Sequence, residues 1–345
     1  MMRLKEIQAA AAALDTQLTA GMPQADALRR MARLQPAYDE FWQAAADGAQ
    51  AGRRLSTYLA GEWPLVFINA IVAGERSGTL PQACAKIKDA IILQRGLQKK
   101  MWGLAYPVGI SLLALVVFIF YMVFVIPTLF QALEAKDQGL VFKVSQWMST
   151  MWFENWATIL ISLGVSVFAA AAWLSVYENR ERVEDWSLSI PVIGPALAFF
   201  YWAIWARYMA LVDSTGAISR SDGLEMTSHM LPHSLRPGIL LAASEVEVRG
   251  SAAATDPAKQ VDGDPRKEWP FYISNAFILS DTSGVLDDQL MAASVALVEE
   301  GTVAFDLAIQ AAIVFTFVVT SIFVALPIAA YFMQMGAALQ AAMKG

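Results

Sequence analysis

Three stretches of this chain carry no charged side chain for longer than a lipid bilayer is thick: Met101 to Leu133, Asn155 to Tyr177 and Leu307 to Met343. A helix rises about 1.5 Å per residue, so about 20 consecutive apolar residues cross the hydrocarbon core. Spans are therefore expected at Leu104 to Phe130, Trp156 to Tyr177 and Ala311 to Met333. Trp102, Tyr106, Trp156, Trp173, Tyr177 and Tyr331 stand near their ends, where amphipathic rings settle at the headgroup level. Pro127 and Pro327 fall late in their spans, where neighbouring helices can satisfy the freed backbone group. Composition agrees: of 345 residues 57% are hydrophobic and 16% charged, against roughly 25% charged in soluble domains.

Lysine and arginine near the span ends set an orientation. Lys86, Lys88, Arg95, Lys99 and Lys100 precede the first span and Arg180 and Arg182 follow the second, while the 131–155 loop holds only Lys136 and Lys143. The positive-inside rule then places residues 1–100 in the cytoplasm, the 131–155 loop in the periplasm, residues 178–310 back in the cytoplasm and the tail 334–345 outside. Met1 to Asp15 is a charged helical pattern without the apolar centre of a signal peptide. A fourth uncharged run, Leu188 to Trp205, is broken in its first third by Pro191, Gly194 and Pro195. What remains has the length of a buried or interfacial helix, and it is not expected to span.

The chain also repeats itself. Trp63, Pro64, Asn69, Ala70, Ser77, Gly78 and Leu80 recur as Trp269, Pro270, Asn275, Ala276, Ser283, Gly284 and Leu286, and Asp281 answers Glu75 at the same offset. Upstream, Leu18 to Leu28 has a looser echo in Ser214 to Leu224 at a shorter offset. Gly250 to Glu268, rich in Gly, Ala, Asp and Pro and lacking apolar periodicity, reads as a loop inserted in the second copy. Each copy ends shortly before a span, and two copies of one domain most simply share a compartment, which three spans allow. Apolar stripes at helical spacing run through Leu4, Ile7, Ala11, Leu14 and Leu18, and again through Leu80, Cys84, Ile87 and Ile91. No alternating Val, Ile or Thr-rich segment predicts a sheet. The expected fold class is an all-α membrane protein: two homologous cytoplasmic helical-bundle domains of about six helices each, 1–100 and 178–310, and three transmembrane helices.

The recurrent motif Gly74-Glu75-Arg76-Ser77-Gly78-Thr79-Leu80 lies between two helical patterns. Gly78 suits the left-handed conformation that ends a helix, and Leu80 returns the chain to the core. Glu75 then falls in a last turn, near carbonyl ends that repel an anion, and needs a partner. Arg76, Lys86 or a backbone donor within the hairpin can supply one, and so can another protein. Gly74, Glu75, Ser77, Gly78 and Leu80, with Asp281, Ser283, Gly284 and Leu286, are the candidate site, structural or partner-contacting. A phosphate loop is poorly supported, because no Gly is followed by Lys. His229 and His233 have a metal pair's spacing, but Pro232 lies between them and no third ligand is evident. Cys84, the single cysteine, falls on an apolar stripe and reads as core. No enzyme, metal or cofactor is expected. The predicted spans contain no Asp, Glu, Lys, Arg or His, which disfavours the main rival, a transporter or exporter subunit. Net charge is −6, so nothing global points to nucleic acid, but it is unevenly spread: residues 1–100 hold 13 basic and 9 acidic side chains, residues 178–310 hold 9 and 19. The acidic copy is expected to face a basic partner surface.

The order of helical domain, span, short loop, span, repeated domain and terminal span resembles the inner-membrane platform proteins of type II secretion and type IV pilus machines. Phe67 to Leu80 is similar to that family's apolar helix followed by Gly-Glu-x-Ser-Gly-x-Leu, and Ala105-Tyr106-Pro107 to the Tyr-Pro that opens its first span. Ile190 to Pro195, followed by Arg207, Leu211 and Gly216, resembles its entry into the repeated domain. Asp281 and Thr282 depart from the Gly-Glu common there, and the short chain resembles the subgroup serving type IVb or conjugative thin pili. The resemblance implies a non-enzymatic scaffold in the bacterial inner membrane. It would be a homo-oligomer that engages a hexameric cytoplasmic ATPase, pilin subunits and other inner-membrane assembly components. Extracting a pilin helix of about 20 apolar residues costs on the order of 6–12 kcal/mol, so such a scaffold needs an ATPase as its energy source.

Overall fold

The computed structural model describes residues 2–125, 128, 140–191, 193–216 and 218–344. Among them the chain is helical, with no strand. The first copy supplies α1 (Leu4–Thr19), α2 (Gln24–Leu34), α3 (Asp39–Gln50), α4 (Leu55–Leu59), α5 (Leu65–Ser77) and α6 (Leu80–Met101). Next come α7 (Ala105–Phe120), α8 (Leu140–Ser175) and α9 (Tyr177–Leu188). The second copy supplies α10 (Ile193–Asp213), α11 (Arg220–Ser228), α12 (Arg236–Arg249), α13 (Ser251–Thr255), α14 (Phe271–Ser283) and α15 (Leu286–Lys344). The end of the first predicted span, with Pro127, and the loop up to residue 139, with Lys136, lie outside the described residues.

Within the 250–268 stretch read as a loop, residues 251–255 form α13, which keeps the same distance from the start of α11 as α4 keeps from α2. Five residues are too few for apolar periodicity to show in sequence. The extra residues of the second copy therefore fall between α13 and α14, where two short 3₁₀ turns, Pro257–Lys259 and Pro265–Glu268, replace a featureless loop. Arg266 anchors them. It is 3% exposed, and its guanidinium donates to Asp264 (2.7 and 2.9 Å), Glu245 (2.7 Å) and the Ala254 carbonyl (2.9 Å). These bonds hold the Asp264 and Glu245 carboxyls below the usual carboxylate range.

Residues Met1–Met101 and Glu184–Phe305 form one compact unit, so both copies share a single body. In the first copy the stripes meet in a core of Ile7, Leu14, Leu28, Met31, Trp42, Phe67, Cys84 and Ile87, and Lys88 fastens α6 to Asp15 of α1 at 3.0 Å. In the second, Trp202, Trp205, Trp269 and Phe277 pack ring against ring, and the Trp205 indole donates to Thr227 Oγ1 at 3.1 Å. The seam between the copies is aromatic: Phe67 of α5 stacks on Tyr208 of α10, centroids 5.6 Å apart, and Tyr208 Oη donates to Gln94 Oε1 at 2.5 Å. At its edge Lys86 meets Asp287 at 3.4 Å.

The other unit comprises Trp102–Val183 and Asp306–Gly345. Its helices turn large apolar side chains outward: Leu112, Leu113, Val116 and Phe120 on α7, Ile161, Val165 and Phe168 on α8, Val314, Phe315 and Phe317 on α15. Faces of that kind call for lipid or a partner. Inside α8 the helix breaks at Asn155 (φ −125°, ψ 15°), one residue before the second predicted span. Among the described residues two segments are long and apolar enough to cross a membrane, Ile193–Asp213 and Leu286–Ile322. The first is 72% buried and the second 11%. The fourth apolar run of the sequence thus spends its side chains on protein packing, because α10 is the central helix against which both copies close.

Candidate functional site at the two glycine-ended hairpins

The hairpins α5–α6 and α14–α15 are built alike. Gly78 (φ 72°) and Gly284 (φ 73°) take the left-handed conformation that caps α5 and α14, where a side chain would be strained. The Thr79 amide donates to the Gly74 carbonyl at 2.8 Å, and the Gly284 amide to the Ser280 carbonyl at 2.8 Å. Leu80 and Leu286 then turn into the core, 8% and 0% exposed. Gly74 permits close approach of the two helices: a Cβ there would meet Ala83 Cβ at 2.8 Å and Leu80 Cα at 3.0 Å. Ser77 donates to the Ala73 carbonyl at 2.8 Å and so accepts from Thr79 Oγ1 at 2.6 Å, while Ser283 Oγ accepts from the Val285 amide at 3.4 Å.

Glu75 finds its partners outside the hairpin, and neither Arg76 nor Lys86 is one. Its carboxylate accepts from the Leu55 amide (2.5 Å), the Ser56 amide (3.3 Å) and Ser56 Oγ (2.7 Å), all at the first turn of α4. Asp281 does the same in the second copy, accepting from the Ala252 amide at the first turn of α13 at 2.9 Å. Each acidic residue thus caps the short helix before its own hairpin, satisfying orphan amides. Leu55, Ser56 and Ala252 were not legible as site residues. The available signal was negative: Arg54 and Gly250 occupy the cap positions, and neither has a side chain that accepts those bonds. Replacing Glu75 by alanine should cost about 1–2 kcal/mol of stability. Asp281 to alanine should cost less, because Asp281 is 39% exposed and its remaining contact, Arg220 at 3.9 Å, is solvent-screened. Denaturant titration of the detergent-solubilised chain checks the order; equal losses would contradict it.

The copies differ beside these caps. Arg220 bridges Asp213 (3.3 Å) and Ser251 Oγ (2.9 Å), and burial pushes the Asp213 carboxyl above its usual range although Arg220 draws it back. Asp213 also accepts from the Asp287 amide. At the corresponding places in the first copy stand Gln17, Gln24 and Pro81. Proline has no amide proton to give, and Gln17 Oε1 is buried without a partner.

A pocket of about 280 Å³ opens beside the first hairpin, walled by Gly74, Ser77, Thr79 and Lys86 of the first copy and Ser214 and Thr215 of the second. Burial pushes the Cys84 thiol up to about 12, which keeps it protonated. His229 ends α11, and His233 begins a separate 3₁₀ turn after Pro232. Among the described residues no cluster of three His, Cys, Asp or Glu side chains could hold a metal ion.

The structure thus holds one helical body made of two copies, in which Glu75 and Asp281 cap the short helices that precede the glycine-ended hairpins, and separate apolar segments with outward-facing side chains. Residues 11–127 match the family described as type II secretion system (T2SS), protein F. The chain is 24% identical over 262 residues to the type 4 fimbrial assembly protein PilC of Pseudomonas putida, covering 71% of this chain and 61% of that protein. It is 25% identical over 219 residues to the type IV pilus assembly protein TapC of Aeromonas hydrophila, covering 59% and 51%. The chain thus aligns with between half and two thirds of the length of these relatives. No solved structure matches it. The chain is thus similar to type II secretion system protein F over residues 11–127 and to PilC-type pilus assembly proteins over a longer stretch.

Proposed function

We propose that the chain is a non-enzymatic inner-membrane platform of a type IV pilus or type II secretion machine, of the type IVb or thin-pilus kind. Both copies face the cytoplasm, joined to three spans at residues 104–130, 156–177 and 311–333, with the 131–155 loop and the tail in the periplasm. A hexameric ATPase docks on the cytoplasmic body, and the platform, itself a homo-oligomer, passes that motion to pilin subunits leaving the bilayer. The observation that carries this reading is the union of both copies in one body. A force applied to either copy reaches the same rigid aromatic seam, and α6 and α15 lead from that body into the apolar segments.

The test is co-purification of the full chain with the candidate ATPase. Loss of association and of piliation when residues 1–100 are removed is expected, and retention of both would refute the coupling. Reporters fused at Gln146 and at Val261 should give opposite compartments; the same outcome at both sites would overturn the topology.

A further inference from the structure

The helix α12 differs from its counterpart α3 in a way that packing inside the chain does not explain. Buried residues fix the register: Ile239, Ala242 and Ala243 of α12 correspond to Trp42, Ala45 and Ala46 of α3. In that register the outward face of α3 carries Glu40, Gln43, Asp47 and Gln50, with Ala44 its one apolar residue. On α12 the same face presents Pro237, Leu240, Leu241, Ser244 and Glu247, continued by Val248. Leu240, Leu241 and Val248 are 45%, 40% and 87% exposed. Leu241, Ser244 and Val248 follow at spacings of three and four with Leu240 beside Leu241, so the two leucines and the valine share one face with Ser244 between them. The segment peculiar to the second copy is bolted to the same helix, through Arg266 and Glu245, so two differences between the copies meet at one place.

Charge decides what covers the stripe. Arg220, Arg249, Lys259, Arg266 and Lys267 are each paired with a carboxylate of the same copy. Arg236, at the start of α12, donates to the Leu231 carbonyl at 2.7 Å, whereas Glu247 makes no ion pair among the described residues. The unpaired charge within the stripe is therefore that of Glu247. Such a surface repels the anionic headgroups of a cytoplasmic leaflet, and against the same face of a second chain it would oppose acid to acid.

We propose that this face of α12 receives a helix of a partner protein, apolar along one side and bordered by lysine or arginine. Leu240, Leu241 and Val248 bury the apolar side, and Glu247 pairs with the basic border. The inference rests on the platform reading only for the compartment in which the partner lies. It is tested with a photoreactive benzoyl-phenylalanine at Leu240 of the full chain in its native membrane, with Gln43 of α3 as control and adducts sequenced by mass spectrometry. A peptide with a basic amphipathic helical pattern should be captured at Leu240 about tenfold more than at Gln43, and the yield should fall about tenfold in Glu247→Lys. It should fall likewise as salt rises from about 0.05 M to about 0.5 M. Glu247 is exposed, so its reversal does not threaten the fold. A lipid adduct, an adduct to a second copy, equal yield at Gln43 or indifference to Glu247→Lys overturns the proposal. A basic helix captured from a protein with no part in fibre assembly would uphold it while sinking the platform reading; an intact ATPase complex without the adduct would do the reverse.

Discussion

Truncating Phe67 to alanine is expected to lower the unfolding free energy of the full chain in detergent by about 3–5 kcal/mol, the cost of a large cavity in a closed core. Phe67 is 0% exposed and lies where the copies meet, stacked on Tyr208 and edge-on to Trp63 at 6.5 Å. Because the stack joins residues far apart in sequence, a double-mutant cycle with Tyr208→Ala should return a coupling of about 0.5–1.5 kcal/mol. Tyr208→Phe isolates the bond to Gln94 and should cost about 1 kcal/mol. Denaturant titration gives all four values. Zero coupling, or two separate transitions, would mean that the copies fold independently and that the seam is not the joint described above.

Replacing Arg266 by alanine should be as damaging, about 3–5 kcal/mol, because it leaves Asp264 (side chain 7% exposed) and Glu245 charged without their shared cation. The penalty comes from stranding charge, so an apolar substitution of Arg266 together with Asp264 should be far milder than Arg266→Ala alone. The pH dependence follows in sign. Asp264 and Glu245 have lowered native pKa values, so their contribution is complete above the ordinary carboxylate range, about pH 4, and is lost as pH falls through the native values. Acid should therefore narrow the gap between wild type and Arg266→Ala. A gap that widens below about pH 4 would contradict the network.

The helical hairpins were readable because they depend on neighbours in sequence. Gly78 and Gly284 adopt the positive φ that their place after an apolar helix requires, and Leu80, Cys84, Ile87 and Ile91 are all buried on one stripe. The equal spacing of the two motifs reported the duplication before any coordinates. Readings that needed a distant partner fared differently. Glu75 was seen to need a donor, but Leu55 and Ser56 could not be named, since a carboxylate in search of amides has no preferred sequence separation. Helix α13 was read as loop, because five residues of Ser, Ala and Thr carry no periodicity. Arg266 carries no local pattern that marks it as buried, and its surroundings, Asp264, Glu245 and the Ala254 carbonyl, come together only in the fold.

Composition and pattern by themselves determined that this chain is helical, duplicated and furnished with charge-free apolar runs, because solvent preference and helix period are written residue by residue. Only the tertiary structure decided that the copies share one body, that α10 serves as its core, and which groups hydrogen-bond Glu75, Asp281 and Arg266. Those outcomes depend on which surfaces meet across long stretches of chain, and an aromatic ring or a carboxylate fits many such meetings equally well until packing selects one.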